Sequence, residues 1–387
     1  MYHLRRLSAL VLSLAIAPLL FLPTPAAAAN EDSMPLVLSS ASALLMEKET
    51  GTVLLQQNAH QKLEPASVTK IMTLLLVMEA VDSGRLSLDE LVPVSAHAAG
   101  MGGSQVYLKE GEQLSVSDLI KCVAVVSGND CAVALAERLA GSESAFVDQM
   151  NQKAQSLGMA DTHFVNCTGL PAPGHLTSAW DIALMSRELI LRHPDIQQYT
   201  TIWTDSIRNG AFGLTNTNRL VRFYDGATGL KTGFTASAQY CMSATAQRNG
   251  MELIAVVMKA PTTAQRFQDA SSLLDYGFAN YALITPQPES PLAPVDVLLG
   301  RSKTVQPQLQ RECHLLVEKT QADQVTTRVD LAQDVQAPVD PGQTLGEFQV
   351  YVGNELRDSV PIVAAQGVDR LSVPGLFSQL LRRLLFA

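Results

Sequence analysis

Three short segments carry side chains that could perform nucleophilic chemistry: Ser67-Val68-Thr69-Lys70, Ser127-Gly128-Asn129 and Lys231-Thr232-Gly233. A serine hydroxyl is a weak nucleophile at its free pKa and needs an adjacent base. Lys70 stands three residues after Ser67, which on a helix puts both on one face. A lysine whose pKa is lowered by partial burial or by a second cation can be that base. A helix N-terminus would also favour the oxyanion formed on attack. Ser127 can pass a proton between the lysine and a leaving amine, and Asn129 can hold the lysine or bond a substrate amide. Gly233 has no side chain, so a substrate backbone can approach a strand edge there. Thr232 can hydrogen-bond a carboxylate, and Lys231 adds positive charge. Taken singly, each segment also reads as a helix cap, an interhelical turn or a hairpin turn. Their order and context together separate them from that background. His97, His163 and His175 have no spacing suited to a triad or a metal, so no catalytic histidine, no metal and no cofactor is expected.

The elements that must position these groups follow from pattern. Residues 39–57 read as a strand hairpin turning at Glu49-Thr50-Gly51-Thr52. A helix from about Val68 to Ser83 is apolar nearly all round, which marks a buried helix. Further helices are expected at 115–126, 129–140, 143–157 and 178–193, with Ser142 capping the third. Tyr240 to Ala246 and Glu252 to Val257 read as strands joined at Arg248-Asn249-Gly250. A helix from about Thr263 to Tyr281 closes the region. Strands at both ends with helices between them predict one mixed sheet with a helical insert.

A Pro-rich stretch from Leu283 through Pro294 reads as a linker. Beyond it, short β-like runs at 295–299, 314–317, 326–329 and 348–352 predict a small all-β domain. Leu376, Phe377, Leu380, Leu381, Leu384 and Leu385 recur at helical spacing, with Arg382 and Arg383 on the other side. That segment is too short to span a bilayer, which needs roughly 20 apolar residues. It can lie in a membrane interface as an amphipathic helix, or pack on the β domain.

At the other end, Arg5 and Arg6, an apolar run from Leu10 to Leu22 and small residues at Ala26 to Ala29 read as a signal peptide, with a retained anchor helix as the alternative. The full chain of 387 residues has 28 Lys+Arg against 37 Asp+Glu. Loss of the leader removes two arginines and makes the balance more acidic, which gives no electrostatic reason to bind nucleic acid. Five cysteines are an odd count and cannot pair completely within one chain. Cys122 and Cys131 would be too far apart on one continuous helix, though a break between them leaves pairing open. The expected role of the cysteines is mostly as small buried hydrophobes.

Pro65 to Thr73, Ser127 to Asp130 and Gly229 to Thr235 together resemble the low-molecular-mass penicillin-binding proteins, the serine D-Ala-D-Ala carboxypeptidases. Thr215-Asn216-Thr217-Asn218, Asp161-Thr162-His163-Phe164, Gly342 to Gly346 and the terminal amphipathic segment extend that likeness over nearly the whole mature chain. The resemblance implies a mixed α/β fold, a β-lactamase/transpeptidase-like domain (a sheet with a helical subdomain) followed by a small all-β domain. It implies a signal peptide over 1–29, a catalytic domain over 30–285, the β domain over 292–363 and a membrane-associating helix over 370–387.

It further implies that Ser67 is the acylated nucleophile, Lys70 its base, Ser127 and Asn129 the relay, and Lys231 an assisting charge. The backbone N–H groups of Ser67 and Phe234 would form the oxyanion hole. Thr232, Gly233, Phe234 and Thr235 would line the substrate. Arg266 would meet the terminal carboxylate, unless it is a solvated helix residue. The implied substrate is the D-Ala-D-Ala end of a peptidoglycan stem peptide outside the cytoplasm, on the outer face of the membrane, with β-lactams as inhibitors. The alternatives are a related serine β-lactamase and a non-catalytic wall-binding protein. Two departures stand out. Ala238-Gln239 replaces an Ala-Gly of many members, and Gly169-Leu170-Pro171 stands where some have Gly-Leu-Asp. No Glu occurs over 155–182 to position a deacylating water as class A β-lactamases do.

Overall fold

The computed structural model describes residues 36–375, 377 and 385. The signal-peptide segment and most of the terminal amphipathic segment lie outside the described residues.

Five strands build the central sheet: β1 (Ser42–Glu47), β2 (Val53–Gln57), β3 (Ala227–Thr235), β4 (Gln239–Arg248) and β5 (Met251–Ala260). They lie in the order β2-β1-β5-β4-β3, so the first hairpin pairs with the last strands of the domain. Every pairing is antiparallel. The expected mixed sheet is therefore an antiparallel one, because β1 enters between its own hairpin partner and β5 without any parallel crossover. Lys231-Thr232-Gly233 stands inside β3, which begins four residues earlier, at Ala227.

Both faces of the sheet are covered, which explains why its strands are apolar at successive positions. Leu44 and Met46 of β1 pack with the helical core, whereas Ala43 and Leu45 pack toward the last helix of the domain. That last helix spans Thr263–Asn280 and is capped by the Thr262 hydroxyl, which accepts from the Gln265 N–H. On the other face lies α1 (Lys70–Asp82), whose Ile71, Met72, Leu74, Leu75 and Val77 are all fully buried. Each such side chain contributes roughly 2 kcal/mol of burial. Its surroundings are α2 (Val116–Val125), α3 (Asn129–Ala140), α4 (Glu143–Ser156) and α5 (Ala179–Arg192). These match the expected helices within a few residues. Ser142 caps α4 by accepting from the Ala145 N–H, as the sequence predicts. All five cysteines are buried and free. Cys122 and Cys131 fall on separate helices, either side of the turn at Ser127-Gly128.

The strand Tyr281–Ile284 continues from the last helix and pairs antiparallel with Leu315–Glu318. Leu283 and Ile284 are thus sheet residues rather than linker, because Leu316 and Leu283 share the apolar cluster beneath that helix. The β domain contains an antiparallel sheet in the order 307–309, 355–364, 344–352, 325–331. The strand Glu355–Ala364 lies outside the β-like runs read from the sequence and contains Pro361. It forms because the Pro361 carbonyl still accepts from the Gln310 N–H, and Val360 and Ile362 reach a common core with Phe348 and Val350.

Candidate active site

The turn that carries Ser67 is held from both sides by glycines. Ala66–Thr69 form a short 3-10 turn that runs into α1. A Cβ on Gly233 would come within 2.8 Å of the Pro65 carbonyl and 3.0 Å of the Ser67 nitrogen. A Cβ on Gly169 would sit 1.8 Å from the Ala66 carbonyl, and φ there is +82°. Only glycine lets strand β3 and the 166–170 loop close on this turn. Strand β3 is the edge of the sheet, so its free side faces the same turn.

Lys70 is fully buried, with its Nζ 2.9 Å from Ser67 Oγ, 2.6 Å from Asn129 Oδ1 and 2.7 Å from the Thr168 carbonyl. Burial lowers its pKa to about 7, against opposing influence from Cys167, Asp130 and Cys131. A neutral amine has two N–H donors and one lone pair. With the two donors on Asn129 Oδ1 and the Thr168 carbonyl, the lone pair is left for the Ser67 hydroxyl proton. The geometry therefore suits a base rather than a permanent cation.

Asn129 opens α3. Its Nδ2 donates to the Gly102 carbonyl at 2.6 Å and its N–H to the Ser104 carbonyl at 2.7 Å. The neighbouring Asp130 accepts from the N–H groups of Val106 and Leu108, at 2.9 and 3.1 Å. So the 100–110 loop is fastened to the motif through two adjacent residues. Ser127 occupies the turn before it with φ +65°. Its hydroxyl is buried and makes no hydrogen bond within the protein, to Lys70 or to any other described group. A buried polar group without a partner is exceptional in a folded chain.

On β3, Lys231 is buried, and its Nζ donates to the Thr232 carbonyl at 3.0 Å. Burial, then Lys70 and Arg266, push its pKa well below the ordinary lysine value. Thr232 Oγ1 lies 2.7 Å from Thr217 Oγ1, and the Thr217 N–H donates to the Val125 carbonyl. Phe234 is exposed, and its ring packs on Tyr240 with centroids 4.5 Å apart. Thr235 Oγ1 accepts from the Ala238 N–H at 3.0 Å and so also shapes the turn after β3.

Arg266 is not a solvated helix residue: it is 6% exposed. Its guanidinium lies over the Tyr240 and Phe267 rings and donates through Nη1 to the Gly233 carbonyl at 3.3 Å. Its Nε is buried without a partner, and burial lowers its pKa to about 10. The fold thus brings Ser67, Lys70, Asn129 and Lys231 together and sets Arg266 behind the same strand.

Two contributors were missed from sequence. The Thr168 carbonyl holds Lys70, and Thr217 holds Thr232. A carbonyl leaves no residue-type signal. Thr217 stood in a segment noted only for its likeness to relatives. His175 serves the loop rather than the chemistry. Its Nδ1 accepts from the Val165 N–H at 3.0 Å, so Nε2 carries the proton and donates to Thr69 Oγ1 at 2.8 Å. Burial, with His163, lowers its pKa to about 4. No cluster of metal-ligating side chains occurs among the described residues.

A family model described as D-alanyl-D-alanine carboxypeptidase, Peptidase S11, matches residues 28–262, and one described as penicillin-binding protein 5, C-terminal domain, matches residues 287–370. The chain is 37% identical to D-alanyl-D-alanine carboxypeptidase DacF of Bacillus subtilis, over 93% of this chain and 95% of that one. It resembles the solved penicillin binding protein 5 of Haemophilus influenzae with a TM-score of 0.74 at 29% identity, over 87% of this chain and all of that one (100%). The ampicillin-bound penicillin-binding protein D2 of Listeria monocytogenes aligns with a TM-score of 0.58 at 37% identity, over 63% of this chain and 99% of that one.

Proposed function

The chain belongs to the D-alanyl-D-alanine carboxypeptidase family, Peptidase S11, and from that membership we propose how its own residues divide the reaction. The activity is that of a serine D-alanyl-D-alanine carboxypeptidase of the penicillin-binding type. Ser67 Oγ attacks the carbonyl of the penultimate D-Ala while the Lys70 amine takes its proton. The developing oxyanion is held by the N–H groups of Ser67 and Phe234, a reading supported by the close approach of Gly233 to the Ser67 nitrogen. The proton returns to the leaving D-Ala nitrogen by way of Ser127, whose hydroxyl has no competing protein partner. Asn129 keeps Lys70 oriented. Lys231, Thr232, Thr235 and Arg266 supply charge and hydrogen bonds toward the terminal carboxylate. Water then releases the shortened peptide from Ser67.

The observation that carries this reading is the Lys70 environment. A buried lysine with a lowered pKa, two carbonyl-type acceptors and a serine hydroxyl at 2.9 Å is an activated nucleophile pair. β-Lactams present a carbonyl to the same serine. Among the described residues no carboxylate bonds Ser67 or Lys70, and this reading expects a long-lived penicilloyl adduct. Labelling with a fluorescent penicillin tests the assignment: the wild-type chain retains label and Ser67→Ala does not. Equal labelling of the two would sink it. Export by the leader and attachment through 370–387 complete the proposal, placing the site beside peptidoglycan on the outer face of the membrane.

A further inference from the structure

Two loops flank the Lys70 amine. The 100–110 loop is fastened to Asn129, and the 161–178 loop supplies the Thr168 carbonyl. They meet beside Asn129: a Cβ on Gly103 would lie 2.8 Å from Asn129 Nδ2 and 3.6 Å from a Leu170 methyl. A carboxylate with no part in the acyl transfer itself joins the same two loops. It belongs to Glu143, the first residue of α4, whose side chain is 17% exposed.

The two oxygens of Glu143 serve different loops. Oε1 accepts from the Cys167 N–H at 3.1 Å and from the Cys167 thiol at 3.3 Å. Oε2 accepts from His97 Nε2 at 2.8 Å, and His97 lies in the helical turn Ala96–Ala99 that leads into the 100–110 loop. Cys167 is fully buried. Burial, with Glu143 beside it, holds the thiol well above its ordinary pKa, so it stays a donor. The next residue is Thr168, whose carbonyl meets Lys70 Nζ at 2.7 Å. Asn166 Oδ1 accepts from the Thr168 N–H and hydroxyl and from the Gly169 N–H. Those bonds are internal to the loop and shape it without fixing where it sits. From outside, Thr73 Oγ1 of α1 holds the Cys167 carbonyl at 2.7 Å. Glu143 holds the N–H of the same residue from α4.

We propose that Glu143 is a positioning residue for Lys70: it fixes Cys167 so that the Thr168 carbonyl is aimed at the amine, and through His97 it ties in the loop that holds Asn129. The proposal rests on the reading of Lys70 as the base. A carbonyl acceptor favours an ammonium over a neutral amine. Loss of that acceptor therefore lowers the Lys70 pKa, and the amine points less often at Ser67. The other groups that bear on the charge of Lys70, namely Asp130, Cys131, Cys167 and Lys231, stay in place.

The test is the pH profile of acylation by benzylpenicillin, taken for wild type and variants of the mature chain. In Glu143→Ala the plateau rate falls about tenfold. Its midpoint moves about half a pH unit toward acid, the scale of one hydrogen bond to a charged group. Glu143→Gln recovers most of both, because its amide oxygen still accepts from the Cys167 N–H and its amide nitrogen can donate to a neutral His97. His97→Ala changes a side chain that is 54% exposed and shifts the midpoint the same way by less. Glu47→Ala is the control: it removes a buried carboxylate that accepts from the N–H groups of Glu49 and Thr50 in the first hairpin. It lowers thermal stability and leaves the pH midpoint in place. A midpoint unmoved in Glu143→Ala, or moved as far by Glu47→Ala, overturns the proposal. So does Glu143→Gln as impaired as the alanine variant. If Glu143→Ala does not fold, an unmoved midpoint in His97→Ala overturns it equally. A wild-type profile that rises and levels, with the Glu143 variants superimposed on it, loses only the role of Glu143. A flat wild-type profile removes Lys70 as the base and this proposal with it.

Discussion

Lys70 would be an ordinary solvated cation anywhere else. Its burial disfavours charge, and its two acceptors orient the amine toward Ser67. With a pKa of about 7 it is protonated in mild acid and neutral above that. A base works only when neutral. The second-order rate of acylation by penicillin therefore rises about tenfold per pH unit below pH 7 and levels off above it. Stopped-flow measurement between about pH 5 and 9 reads this directly, and a flat profile across neutrality would remove Lys70 as the base. Asn129 shows how much one residue can bind at once: its amide holds Lys70 on one side and the 100–110 loop on the other.

The loop from Asp161 to Ser178 acts as a clamp on the turn that carries Ser67. Its Thr168 carbonyl reaches Lys70, its Cys167 carbonyl accepts from Thr73 Oγ1, and Gly169 lies against Ala66. His175 fastens the loop to Thr69 in its neutral form. Its folded pKa of about 4 lies below the ordinary histidine value of 6.5. The unfolded chain therefore binds more protons between those two values, and stability falls as the pH drops from 6.5 toward 4. The loss is on the order of 3 kcal/mol when complete. Urea midpoints of wild type and His175→Gln over this range check it: the variant loses that part of the slope. The same slope in both would assign it to other groups.

At the scale of the molecule, the first hairpin and the last three strands of the catalytic domain form one sheet. The helices inserted between them supply Lys70 and Asn129, while the sheet edge supplies Lys231. The strand Tyr281–Ile284 hands the chain directly to the β domain by pairing with Leu315–Glu318. If the terminal segment holds the enzyme at a membrane, the mature chain sediments with anionic and zwitterionic vesicles. A form ending at Asp369 stays in solution and still releases D-Ala. Equal sedimentation of both forms would leave the anchor elsewhere.

Residue types and order by themselves singled out Ser67, Lys70, Asn129 and Lys231, which the fold brings together. They also determined the buried helix and the Ser142 cap, because those signals are local: a hydroxyl one turn from an amine, an apolar run, a serine before a helix. What the sequence could not decide depends on groups far apart in the chain. The antiparallel course of the sheet comes from β1 meeting β5, some two hundred residues away. The strand through Pro361 exists because its carbonyl still accepts from the Gln310 N–H and its flanking Val360 and Ile362 reach the core. Arg266 is buried only because Tyr240 and Phe267 enclose it. The Thr168 carbonyl, like any backbone group, gains its role from where the loop is folded and not from what residue carries it.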